Sequence, residues 1–252
     1  VVNSKIIGIE EINLKVAIFI FLATLLAYNY QRLHRIKKGI VVKSKRLQWI
    51  KKHKNALIVI NAIAALGMIL IGISFDIKMK WLLFLIGVVS LWYVQGLGVI
   101  PPLRNVPYIK IFIIGFTWSI TTVGLPILML PKFPEFAPTL FGLVFCFVVI
   151  QTMPFDMRDS ELDRALGVKT WAQHMSFKKS KLTAVSFCLV FFVLIYVVTQ
   201  LNLIHEQLIL YGHAALLGIP LLIGLGKQRG EMYYSLVIES ILYFPFMFYL
   251  IQ

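Results

Sequence analysis

Residues 136–170 read FAPTLFGLVFCFVVIQTMPFDMRDSELDRALGVKT. The first half, about 136–153, is a continuous apolar run without a charge. Such a run, apolar on every face rather than at alternate positions, predicts a transmembrane helix and not a barrel strand. The second half changes character at once. Asp156, Asp159, Glu161 and Asp163, four of the chain's eleven acidic residues, fall within eight positions. On a helix turning about 100° per residue, Asp156, Asp159 and Asp163 lie within roughly 60° of one another, and Glu161 points away. Three carboxylates on one stripe repel each other unless a cation sits among them. Hard oxygen ligands of this kind suit Mg2+, which bridges carboxylates to phosphates. A helix start would account for Asp156 and Asp159 as cap and first-turn residues. It leaves Asp163 unexplained, and with it the nearby Arg158, Arg164 and Lys169. An acidic, cation-demanding cluster at the end of a membrane span points to chemistry on a lipid phosphate or diphosphate.

The rest of the chain supports the membrane setting. Of 252 residues, 59% are hydrophobic and only 14% charged. No soluble domain of this size buries that much apolar surface. Eight spans are expected, at about 15–30, 55–74, 80–98, 108–130, 136–153, 182–200, 206–224 and 234–250. They make residues 1–252 a single all-α, polytopic transmembrane domain. The net charge of +14 does not indicate nucleic acid, because it follows the loops. Loops of about 31–54, 99–110, 154–181 and 225–233 hold 20 of the 25 Lys and Arg. The intervening loops hold three, Lys78, Lys80 and Lys132. The positive-inside rule places the first set in the cytoplasm and the protein in the cell (inner) membrane. Within 31–54, Leu33, Ile36, Ile40, Leu47 and Ile50 recur among basic residues, as in a helix lying on anionic membrane lipids. A loop that only sets topology fits the same residues. Cys146 and Cys188 fall inside spans and read as packing residues.

The acidic run resembles a known motif. Asp156-x-Arg158-Asp159-x-x-x-Asp163-Arg164, continued by Gly167-x-Lys169-Thr170, is similar to the second aspartate-rich motif of the UbiA superfamily of intramembrane prenyltransferases. The resemblance implies a helical bundle with two long cytoplasmic loops, each bearing an acidic motif. It also implies a further helix ahead of Val1, since family members have nine and carry this motif after their sixth. It implies transfer of a polyprenyl group from its diphosphate to a lipid-soluble, possibly aromatic, acceptor. Asp156, Asp159 and Asp163 would then be the catalytic metal site for Mg2+. Arg164 and Lys169 would meet diphosphate oxygens. Lys110, in Pro107-Tyr108-Ile109-Lys110, matches a weaker family pattern and joins them; a lysine snorkelling to the interface reads the same way.

The resemblance breaks at the first acidic motif. The corresponding place reads Ala27-Tyr28-Asn29-Tyr30-Gln31-Arg32-Leu33-His34-Arg35, and no carboxylate lies between Glu11 and Asp76. Gln31 is left to coordinate weakly. Arg32 offers fixed positive charge to the diphosphate, and Asn29 is a cavity candidate. Glu239 is another, because a carboxylate in mid-span costs roughly 2.5–3.5 kcal/mol and requires a partner or water; His213 is the expected partner. Two readings stay open: a prenyltransferase, or a catalytically lapsed relative that binds prenyl lipid without turnover. A phosphatidyl-alcohol transferase is disfavoured, because its motif needs Asp-Gly and none occurs.

Overall fold

The apolar runs fold as helices. The computed structural model describes residues 14–37, 45–165, 167–201, 208–226, 230, 232–245 and 247. No β-strand forms among the described residues. The helices are α1 (Leu14–Lys37), α2 (Lys45–Lys52), α3 (Lys54–Ile73), α4 (Ile77–Gln95), α5 (Ile109–Ser119), α6 (Ala137–Ala165), α7 (Phe177–Gln200) and α8 (Ile209–Ile223). Six segments are long and apolar enough to cross a membrane: within α1, α3, α4, Ile109–Ile127, α6 and α7. The chain is an all-helical, multi-pass membrane protein.

The last two expected spans take another form. α8 has 15 residues, or about 22 Å of helix, against about 30 Å of hydrocarbon. The final one is a π-helical turn, Tyr233–Ile238, followed by a 3-10 stretch, Glu239–Tyr243. Among the described residues, neither is long enough to qualify as a span. Residues 202–207, between α7 and α8, lie outside the described residues, as do 38–44 of the basic loop.

The chain divides into two compact units. In the unit of residues 11–105, α1 packs on α3 and α4. Phe19 meets Phe75 edge-on at 5.4 Å, and Gly67 leaves room for Leu22. Asp76 caps α4 by accepting from the Met79 N–H at 2.8 Å. α4 ends at Gly96, whose φ of 81° suits glycine. α3 turns Ile63, Leu66, Ile69 and Leu70 outward, an apolar stripe that water would not tolerate and lipid does.

The unit of residues 106–252 holds the main core, with α5 against α6 and α8 against α7. A Cβ on Gly115 would stand 2.7 Å from Val149 Cγ2, so glycine is what lets α5 and α6 approach. Beyond Ser119 the α5 helix runs into a π turn, Ile120–Gly124, just ahead of Pro126. The helix thus changes pitch just ahead of the proline. Ser119, Thr121 and Thr122 donate their hydroxyls to the carbonyls of Gly115, Thr117 and Trp118, which satisfies backbone oxygens in an apolar setting. At 29 residues α6 is about 43 Å long, longer than the hydrocarbon layer is thick. The acidic run is thus the end of a helix, continuous to Ala165, and the expected loop of 154–181 shrinks to the residues beyond it.

Candidate functional site

Two helices place charges against their own dipoles. Lys110 is the second residue of α5, where a helix N-terminus disfavours a cation. The four acids of α6 lie toward its C-terminal end, and Asp163 falls in the last turn, where an anion is disfavoured. That position removes helix-start capping as an explanation of the acidic run. The two misplacements correct each other. Lys110 Nζ lies 2.8 Å from Asp156 Oδ1 and 2.6 Å from Asp163 Oδ2. Asp156 and Asp163 are each 1% exposed and Lys110 13%, so one ammonium serves two buried carboxylates. Placing charges against local preference is what a site does when function outweighs helix stability.

Asp159 goes elsewhere. Its carboxylate accepts a forked pair of bonds from Arg158, Nε to Oδ1 at 2.7 Å and the NH2 nitrogen to Oδ2 at 3.1 Å. The Arg158 guanidinium lies over two rings, Phe155 at 5.1 Å and Tyr234 at 5.3 Å. This joins the acidic end of α6 to the π turn at 233–238. The structure thus brings together two of the three aspartates, with a lysine as their shared partner and the third held by arginine. Among the described residues, no group of three or more His, Cys, Asp or Glu is arranged to hold a metal ion.

The donors nonetheless suit a hard cation. Asp156 and Asp163 converge on one cationic position, and Asp156 Oδ2 is buried with no hydrogen-bond partner. Those two residues would hold a divalent ion; Asp159 would join only by leaving Arg158.

The segment after α6 returns to the site. Gly167, at φ 71°, turns the chain so that the Val168 N–H bonds the Asp163 carbonyl at 2.8 Å. The Tyr108 N–H donates to the Lys169 carbonyl at 3.0 Å. Tyr108 is the only non-glycine at positive φ among the described residues, 64°, and its hydroxyl sits 3.0 Å from His174 Nε2. Gln173 Nε2 braces the turn through the Val168 carbonyl at 2.8 Å. Chain and hydrogen bonds therefore close a ring: Asp163 to Val168, Lys169 to Tyr108, and Lys110 back to Asp163.

The other expected residues are distributed as follows. Arg164 and the Lys169 side chain are exposed beside the site, with no ion pair among the described residues. Asn29, buried, and the half-buried Gln31 and Arg32 are on α1, in the unit of residues 11–105. Glu239 is exposed and forms no ion pair among the described residues. His213, its expected partner, packs its ring 6.1 Å from Phe192. Sequence reasoning gave no role to Tyr108, Gln173 or His174. Gly167 was the one legible signal for that turn. Compared with protein-family models, with curated proteins and with solved structures, the chain matches none of them.

Proposed function

We propose that the protein is a UbiA-type membrane prenyltransferase. It moves a polyprenyl group from its diphosphate to a lipid-soluble, possibly aromatic, acceptor at the cytoplasmic face. The observation that carries the reading is the convergence of buried Asp156 and Asp163 on one cation at the end of an apolar helix. A bundle that only needed stability would place apolar side chains there, since buried ion pairs seldom add net stability.

In the reaction the allylic C–O bond breaks and its electron pair leaves with the diphosphate. The acceptor then attacks the carbocation and releases a proton. Mg2+, when bound, supplies positive charge to the leaving diphosphate. Asp156 and Asp163 hold the cation, and their burial keeps water from the charged centre. Arg158 draws Asp159 aside and steadies it through two aromatic faces. Arg164 and Lys169, exposed on the same helix end and turn, have free donors for diphosphate oxygens.

The test is diphosphate release by purified protein given Mg2+ and a series of allylic diphosphates. Asp163→Asn should slow release by about a hundredfold, or about 3 kcal/mol of transition-state stabilisation. The absence of acids at Tyr28, Gln31 and Arg35, where the resemblance calls for them, favours a second reading, a lapsed relative that binds prenyl lipid. Binding of a donor without release of diphosphate from any of them would select it.

A further inference from the structure

The position between Asp156 and Asp163 already holds a cation of the protein's own. We propose that Lys110 Nζ and a divalent metal ion are alternative occupants of this one seat, so that metal loading releases the lysine.

The geometry suits an exchange. The ammonium lies 2.8 Å and 2.6 Å from its two oxygens. Mg2+ binds oxygen at about 2.0–2.1 Å, so the carboxylates would close in by only about 0.5–0.8 Å. Asp156 Oδ2, buried and without a partner, offers the metal a further oxygen that the lysine leaves unused. The seat carries a net charge of −1 with Lys110 in place and 0 with Mg2+ alone. Two cations at one such position would repel. The lysine is also the more accessible partner: it is 13% exposed while both carboxylates are 1% exposed, and its charge is carried on a flexible four-carbon stem. Once displaced, the ammonium is available to an anion arriving with the metal. Linkage then requires that such an anion tighten metal binding by the factor that metal tightens the anion's.

The inference takes from the proposed function only the choice of ion; the seat itself is geometric. The experiment uses the full chain in detergent micelles and Mn2+ as the paramagnetic substitute for Mg2+. Lys110→Met, which keeps the apolar stem, should bind Mn2+ at least tenfold more tightly than wild type by electron paramagnetic resonance. Its melting temperature should rise with Mg2+ relative to EDTA by more than that of wild type. Adding Asp156→Asn to Lys110→Met should abolish both effects. A folded Lys110→Met protein that binds Mn2+ no more tightly overturns the proposal. Should that variant fail to fold, wild type alone decides. Acylation of Lys110, followed by peptide mass spectrometry, should be severalfold faster with Mg2+ and inorganic diphosphate than with EDTA. An unchanged rate overturns the exchange. None of these readouts needs turnover, so prenyl transfer can fail without affecting them, and turnover without any Mn2+ effect refutes only the exchange.

Discussion

Removing Lys110 should cost more than removing either carboxylate it serves. Each Lys110–carboxylate contact, at 2.8 and 2.6 Å, has a gross attraction of about 6 kcal/mol at an effective dielectric near 20. Most of that is offset by desolvation of the three groups. The charge count decides the ranking. Lys110→Met leaves two carboxylates, each 1% exposed, with no cation between them. Breaking a buried pair in this way costs about 3–5 kcal/mol. Asp163→Asn instead leaves a one-to-one pair of Lys110 with Asp156 and relieves repulsion between the two acids. Its backbone carbonyl still accepts from Val168. A cost of about 1–2 kcal/mol follows from the weakened hydrogen bond. The double variant leaves one buried carboxylate, so its loss should fall short of the sum of the singles by about 1–3 kcal/mol. The assay is unfolding in mixed micelles with EDTA, followed by tryptophan fluorescence, with exposed Lys178→Met as the control at about ±0.5 kcal/mol. A Lys110→Met protein as stable as the control, or strictly additive losses, would refute the shared-cation arrangement.

Two further outcomes are expected. Tyr108→Val forces a β-branched residue into the left-handed region and should cost about 1–3 kcal/mol. Tyr108→Gly, free of that strain, should cost less, and equal losses by the same unfolding assay would contradict the turn geometry. In a Cys146→Ser/Cys188→Ser background, Ser176→Cys and Lys132→Cys should react with impermeant thiol reagents from opposite faces of the membrane. Labelling from one face would overturn the cytoplasmic placement of the acidic helix end.

Much of this protein is decided within single stretches of chain. Every described segment corresponding to the first six apolar runs forms a helix, because a membrane-buried backbone must satisfy its own polar groups within the segment. The spacing of Asp156 and Asp163 put them on one face because helical periodicity is local. Two local expectations were incomplete. The apolar content of 136–153 suggested an end near Met153, yet α6 runs on to Ala165, since a fall in hydropathy does not itself stop a helix and Met157, Arg158, Glu161, Leu162, Arg164 and Ala165 favour one. Residues 234–250 read as an ordinary span, but Tyr233–Ile238 winds as a π turn and Glu239–Tyr243 as a 3-10 stretch, a choice of pitch that composition does not encode.

The site's partners belonged to tertiary structure. Spacing led to the expectation of a cation, Mg2+, among three acids. It did not point to Lys110, which stands between two of them. Lys110 is 53 residues from Asp163 in the chain. It reaches the acids only because Gly115 lets α5 lie against α6, which carries the start of one helix to the end of the other. The same packing assigned Asp159 to Arg158 and the two rings rather than to its fellow acids. A helix's own sequence sets which side chains share a face and what charge that face carries. The neighbour that neutralises the charge is chosen by close packing between helices, and that is a property of the folded chain.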